Sequence, residues 1–187
     1  MALSDMAPAT GTLLIAPPMM QDPNFKRSVV LLCEHGVDGS FGLILNRSIS
    51  LSLTDVVEGM DLYTGPLCMG GPVQPNTLHV LHRYTTGMGE SIQIGNQIYW
   101  GGDFETIQKK VENEVTSSDD IRFFLGYAGW TPGQLDAEIE QDSWIIAPAD
   151  DQVIFPEDPE TLWANTLRRL GGEYALLANF PEDPRLN

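Results

Sequence analysis

Four polar side chains beside the first apolar runs of the chain are the strongest candidates for chemistry. Asp22, Arg27, Asn46 and Arg47 flank runs that are typical of buried strands. The planar guanidinium group of arginine offers a fork of donors that matches carboxylate and phosphate groups. These residues therefore predict a small pocket that binds an anion. The structural alternative is an Asp22–Arg27 salt bridge that ties a loop to the edge of a sheet.

A predicted β-hairpin would bring these groups together. The Asp-Gly dipeptide at 38–39 lies between two apolar runs, which is a strong signal for a tight turn. Pairing centred on this turn places Arg27 near Asn46 and Arg47, and it places His35 close to the turn.

Cys33 and His35 stand two residues apart at the end of one predicted strand. Side chains at i and i+2 share a face of a strand but diverge along it. Catalytic Cys–His pairs come from separate elements and use a third orienting group. We expect Cys33 to be inert core packing, assign no catalytic residue, and keep His35 as a candidate ligand-binding residue.

Cys68, His79 and His82 are the remaining metal candidates. An H-x-x-H spacing on a strand directs the two imidazoles to opposite faces. A zinc site needs about four convergent ligands, and the sequence offers no motif that supplies them. We therefore predict solvated histidines, with no metal and no cofactor.

Two glycine-containing segments complete the candidates. Tyr127 and Trp130 lie on a predicted turn and could line a ligand cleft or a protein interface, with strand–helix packing as the alternative. The segment MGGPV at 69–73 matches neither a P-loop nor a dinucleotide fingerprint. A sharp turn or a β-bulge explains its glycines.

The charge balance restricts the partners of the protein. The 187 residues have a formal net charge of −16, with 10 basic and 26 acidic side chains. Affinity for DNA or RNA depends on basic groups, so direct nucleic-acid binding is disfavoured, as is binding to an anionic membrane. No apolar run reaches the length of a membrane span and no signal peptide is recognisable. We expect a cytoplasmic protein, and an unidentified protein partner or a small anion as its ligand.

The order of the apolar runs predicts an α+β domain with a mainly antiparallel, strongly bent sheet. Residues 1–10 are expected to form a flexible arm, and 11–187 a single domain. The predicted strands are 12–16, 27–34, 41–46, 67–69, 77–83, 92–94, 97–100, 121–127, 144–147 and 152–155. The predicted helices are 51–59, 103–115, 158–170 and 173–179, together with one that begins near Thr131.

Several segments together resemble the bacterial YqgE/AlgH family. They are LLIAPPMMQDPNFKRSVVLLCEH, GLILNR, MGGPV, RFFLGYAGWTPGQLDAEI and the ending ALLANFPEDPRLN. The resemblance covers nearly the whole chain, with the motifs in the same order. Six polar residues match family positions: Arg27, His35, Asn46, Arg47, Arg122 and Gln134. We expect Arg122 to pair with an acidic neighbour.

The resemblance implies more about the fold than about activity. It implies a bifurcated sheet, partly closed like a small barrel and surrounded by helices. The family has no agreed catalytic residues, so none is carried over, and its name is attached to transcriptional regulation. The sequence therefore favours a non-catalytic interaction or regulatory protein with an indirect role in transcription. The alternative is an enzyme or a small-anion-binding protein that uses Arg27, Asn46 and Arg47.

Overall fold

The computed structural model describes residues 6–181, which form strands β1–β9 and helices α1–α5. The strands are Thr12–Ile15, Val29–Gly36, Gly39–Ile44, Leu67–Met69, Val73–His82, Ser91–Gly95, Ile98–Gly101, Ile121–Trp130 and Ile145–Pro148. The helices are Phe104–Asn113, Gln134–Glu140, Asp151–Ile154, Leu162–Leu170 and Gly172–Leu177. Within residues 6–181, no helix is both long and apolar enough to cross a lipid bilayer.

The strands form one nine-stranded sheet that divides at β8. The order is β6-β7-β5-β8-β3-β2-β1-β9, and β4 pairs with β8 in parallel. The other strand pairs are antiparallel. The residues of β8 up to Tyr127 pair with β5, and Ala128–Trp130 pair with β3. The α+β class and the bifurcated, mainly antiparallel sheet predicted above are confirmed.

Glycines allow three strands to meet at this division. The Gly70 N–H donates to the Leu125 carbonyl at 2.7 Å, and the Gly70 carbonyl accepts from the Ile44 N–H at 2.8 Å. Gly126 has a φ of +67°, and a Cβ there would lie 2.5 Å from the Gly71 carbonyl oxygen. The MGGPV segment is therefore the place where three backbones approach closely.

The sheet curls until its distant strands touch. Gly11, just before β1, lies so close to β6 that a Cβ would be 2.1 Å from the Ile94 carbonyl oxygen. Alternate residues of the strands face the enclosed side, as the period of two requires. Leu13, Leu31 and Leu43 are buried there with side chains from the last helices. Those helical side chains are Val153, Ile154, Leu162, Trp163 and Leu167.

The outer faces of the sheet carry two further apolar clusters. Helix α2 covers one of them through Leu135, which is buried against Leu14 and Val30. Helix α1 covers the other through Ile107 and Val111. The domain therefore has a partly closed, barrel-like sheet with helices around it.

Two predicted elements differ from the structure. The predicted strand Gln152–Phe155 is wrong, because Asp151–Ile154 is helix α3, whose first turn begins at the Asp150 carboxylate. The predicted helix 51–59 is reduced to one 3₁₀ turn, Leu53–Asp55. The predicted arm at 1–10 lies partly outside the described residues, and Met6 packs against the cluster under α2.

Candidate functional site

A basic cleft of about 560 Å³ opens between the turn before β2, the end of β3 and helix α4. Three of the ten basic side chains of the chain line it. They are Lys26, Arg27 and Arg47, and one acidic residue, Glu160, shares the lining. The cleft is therefore locally positive in a protein with a formal net charge of −16.

The backbone of Arg27 is held in an uncommon conformation at this cleft. Its φ is +54°, in the left-handed region that a residue with a Cβ adopts only at a cost. The Asn46 carboxamide holds it there. The Asn46 Nδ2 group donates to the Arg27 carbonyl at 2.9 Å, and Oδ1 accepts from the Val29 N–H at 2.9 Å. Asn46, which also lines the cleft, thus fixes the position of Arg27 through both ends of its amide.

The Arg27 guanidinium is fixed as well. It lies 4.4 Å from the centre of the Trp163 ring, and a terminal nitrogen donates to the Phe180 carbonyl. The Trp163 indole is anchored in turn, because Nε1 donates to the Ala16 carbonyl at 2.8 Å. Stacking on an aromatic face is a stabilising position for a guanidinium group. No pattern in the sequence links Trp163 or Phe180 to Arg27, because both come from the far end of the chain.

Arg47 stands at the junction of two clefts. Its terminal nitrogen donates to the Lys26 carbonyl at 2.5 Å, and its own carbonyl accepts from the Met69 N–H at 2.7 Å. A second cleft of about 420 Å³ shares Pro23 and Arg47 with the first. The Arg47 side chain can therefore reach a ligand in either cleft.

Asp22 shapes the loop beside the cleft. Its carboxylate accepts from the Asn24 N–H at 2.8 Å, and its carbonyl accepts from the N–H groups of Phe25 and Lys26. Asp22 and Arg27 form no ion pair in the described part of the chain. The loop is tied to the sheet by Asn46 instead.

His35 lies at the opposite end of β2 from Arg27. Six residue steps of strand run from Val29, which follows the turn at Arg27, to His35, and they correspond to about 20 Å. The His35 Nδ1 atom lies 2.8 Å from the Ser40 hydroxyl, its cross-strand partner, and Nε2 lies 3.8 Å from an Asp136 carboxylate oxygen. The structure therefore does not bring His35 into the basic cleft. Its imidazole links the hairpin to helix α2.

Tyr127 and Trp130 lie on opposite faces of β8. The Tyr127 ring packs 4.7 Å from that of Phe41, on the enclosed side of the sheet. Trp130 is buried under α2, and its Nε1 group donates to the Glu138 carboxylate at 2.9 Å. The predicted turn at Gly126–Trp130 is wrong, since β8 continues through Trp130. These two aromatic residues therefore do not form one pair.

Cys33, Cys68, His79 and His82 are wholly or partly buried among other side chains. Cys33 and Cys68 are both fully buried, and burial raises the pKa of each thiol, so Cys33 belongs to the packed core, as predicted. The expectation of solvated histidines is wrong for His82, which is fully buried and stacks 5.6 Å from the Tyr99 ring. Burial lowers the pKa of both His82 and His79. Among residues 6–181, no three His, Cys, Asp or Glu side chains converge as a metal site would require.

Arg122 is buried without an acidic partner among the described residues. Its Nε group donates to the Ser118 carbonyl at 3.0 Å, and a terminal nitrogen donates to the Pro156 carbonyl. The guanidinium group thus donates to two backbone carbonyls, and the acidic neighbour Asp119 acts on it through its charge without a direct ion pair. Burial lowers the pKa of this guanidinium. Arg122 joins β8 to the segment that leads into α4.

Comparison with known proteins agrees with this arrangement of strands and helices. The sequence pattern of the AlgH-like family (DUF179) matches residues 13–175. A UPF0301 protein of Chlorobium luteolum is 47% identical over 179 residues, covering 96% of this chain and 95% of the relative. A UPF0301 protein of Chlorobaculum tepidum is 42% identical over 177 residues, covering 95% of each chain. The chain belongs to the AlgH-like family.

Two solved structures share the fold. The solution structure of the AlgH protein from Pseudomonas aeruginosa has a TM-score of 0.73 at 29% identity, covering 95% of this chain and 97% of that one. The crystal structure of protein DIP2367 from Corynebacterium diphtheriae has a TM-score of 0.79 at 26% identity, covering 94% of each chain. The resemblance to the YqgE/AlgH family predicted from the motifs is confirmed.

Proposed function

We propose that this protein is a non-catalytic, cytoplasmic regulatory protein that binds an anion in the basic cleft. Ligand binding would alter its contacts with a protein partner, and its effect on transcription would be indirect. The observation that carries the proposal is the gathering of Lys26, Arg27 and Arg47 around one cleft of a strongly acidic chain.

The arrangement of the cleft supports binding in preference to turnover. Arg27 is held by Asn46, Trp163 and Phe180, so little side-chain freedom remains to be lost when a ligand binds. Arg47 offers a guanidinium fork from the facing strand end. The nearest candidate for proton transfer along β2 is His35, which lies about 20 Å along the strand from Val29, the first residue after the turn at Arg27 and Ser28.

A titration with inorganic phosphate, followed by backbone amide NMR, tests the proposal. We expect saturable shifts at residues 26, 27 and 47, with the sodium chloride concentration adjusted to hold ionic strength constant. Arg47→Gln removes the fork together with its bond to the Lys26 carbonyl, and it keeps the two Asn46 bonds that hold the backbone at Arg27. We expect this variant to bind phosphate at least about tenfold more weakly, since a charge-assisted bidentate contact contributes roughly 1.5–3 kcal/mol.

Lys109→Gln is the matched control for loss of one positive charge. Lys109 is exposed on α1, which packs on a different face of the sheet. Its variant is expected to bind phosphate as the parent does. Equal affinity in Arg47→Gln, or shifts spread over all basic residues alike, would contradict the proposal.

An enzyme is the alternative, and one observation favours it. Ser40, His35 and Asp136 lie in a row, and the same three residue types perform acyl transfer in hydrolases. Here the hydroxyl meets Nδ1 and the carboxylate lies 3.8 Å from Nε2. The test compares the rates at which the parent protein and Ser40→Ala hydrolyse p-nitrophenyl acetate. Hydrolysis by the parent that is lost in Ser40→Ala would support this alternative. Equal rates in the two proteins would exclude it for this substrate.

A further inference from the structure

The second cleft beside Arg47 defines what kind of anion the basic cleft would accept. It shares Pro23 and Arg47 with the basic cleft, so the two adjoin on either side of one guanidinium. Its volume of about 420 Å³ lies within the range of small-molecule sites. Its lining includes Arg47, Asn24, Met69 and the three prolines at positions 23, 72 and 75.

This lining is apolar apart from Arg47 and Asn24. Three of the residues are prolines, which have no N–H group and cannot donate to the backbone of an added peptide strand. Met69, which lines the second cleft, is held in position by the hydrogen bond that its N–H donates to the Arg47 carbonyl at 2.7 Å. The second cleft is therefore suited to a non-peptide apolar group.

The net charge limits the number of charges on the ligand. A formal charge of −16 repels polyanions at a distance, and Glu160 adds a negative group inside the basic cleft. A single carboxylate needs no more than the guanidinium N–H groups that Arg47 does not donate to the Lys26 carbonyl.

We infer that the ligand is an elongated organic monoanion, with a carboxylate in the basic cleft and an apolar chain in the second cleft. This inference rests on the proposed anion-binding function. It adds the size and polarity of the ligand, and it makes Arg47 the residue that aligns the head with the chain.

A series of n-alkyl carboxylates tests the inference. Acetate, butanoate, hexanoate and octanoate are titrated below their micellar concentrations. We expect affinity to increase by between about twofold and fourfold for each methylene that enters the second cleft. The Met69 methyl resonance is expected to shift with octanoate and not with acetate. In Met69→Gln the dependence of affinity on chain length is expected to flatten.

The outcomes separate the two proposals. If acetate and phosphate bind but affinity does not rise with chain length, the inference is overturned and the anion site stands. If neither phosphate nor any carboxylate binds, both proposals fail. Octanoate binding that is unchanged in Arg47→Gln would be adsorption to an apolar surface, which also overturns the inference. The methyl shift of Met69 in the parent protein gives a result even if Met69→Gln does not fold.

Discussion

Asn46 and Arg27 form a two-residue clamp at the mouth of the basic cleft. The Asn46 amide donates to the Arg27 carbonyl, and its oxygen accepts from the N–H of Val29, the first residue of β2. The side chain thus replaces the backbone pairing that the left-handed turn at Arg27 interrupts. Asn46 therefore acts on the candidate site through the backbone of Arg27.

Asn46→Ala is expected to destabilise the fold by about 2–3 kcal/mol, because the Arg27 carbonyl and the Val29 N–H both lose their partner. Urea denaturation monitored by circular dichroism measures the change. Asn165→Ala on the exposed side of α4 is the matched control, and we expect it to change stability by less than about 0.5 kcal/mol. Similar losses in the two variants would show that the clamp contributes little.

The left-handed backbone at Arg27 predicts an unusual order of stability. Arg27→Gly and Arg27→Ala both remove the guanidinium group, but only alanine retains the steric strain of a Cβ at φ +54°. We expect Arg27→Gly to be about 1 kcal/mol more stable than Arg27→Ala in urea denaturation. At Lys26, whose φ is not positive, the usual order is expected, with alanine the more stable. Alanine being the more stable residue at 27 as well would refute this prediction.

The division of the sheet requires glycine at position 126. Gly126→Ala adds a Cβ 2.5 Å from the Gly71 carbonyl oxygen to a residue with φ +67°. We expect loss of the cooperative thermal transition, or a destabilisation above about 4 kcal/mol. Gly133→Ala is the control, because its φ is +73° but no atom lies within 4 Å of the added Cβ. That variant is expected to lose only about 1–2 kcal/mol, so equal effects would contradict the proposed backbone crowding.

The buried His82 predicts a loss of stability at mildly acidic pH. Burial lowers its pKa below the ordinary value of 6.5, so the unfolded chain takes up a proton before the folded one. The free energy of unfolding therefore keeps its full value with respect to His82 above about pH 6.5, and it decreases as the pH falls below that value, because protonation of His82 favours the unfolded chain. We expect the free energy of unfolding to decrease less between pH 7 and 5 in His82→Phe, which keeps an aromatic ring beside Tyr99. Parallel pH profiles for parent and variant would exclude a role for His82.

The hairpin shows how far local sequence determines pairing. The Asp-Gly dipeptide predicts a turn at 38–39, and the structure places the turn one residue earlier, at Val37 and Asp38, so that Gly36 pairs with Gly39 and His35 with Ser40. The register then shifts between Leu32 and Glu34, and beyond this bulge Leu31 pairs with Leu43 and Val30 with Ile44. A bulge depends on the neighbouring strands as well as on the turn, and the hairpin sequence alone does not contain it.

Helix α3 shows where the same reasoning fails. Val153, Ile154 and Phe155 form a short apolar run, which suits a buried strand and a buried helical turn equally. The Asp150 carboxylate accepts from the N–H groups of Gln152 and Val153 and so starts a helix. All three apolar residues are buried in the enclosed core. The choice between strand and helix at this segment therefore depended on the tertiary packing of these side chains in the enclosed core.

The sequence by itself determined the fold class, the hairpin and the closeness of Arg27 to Asn46 and Arg47, because turn chemistry and alternating burial act over short distances. Only the tertiary structure decided that Trp163 and Phe180 hold Arg27, that Tyr127 and Trp130 face apart, and that His35 lies far from the cleft. These relationships depend on the division of the sheet at β8 and on the return of the last helices across the curled sheet. Contacts between residues more than a hundred positions apart leave no periodicity in a single sequence.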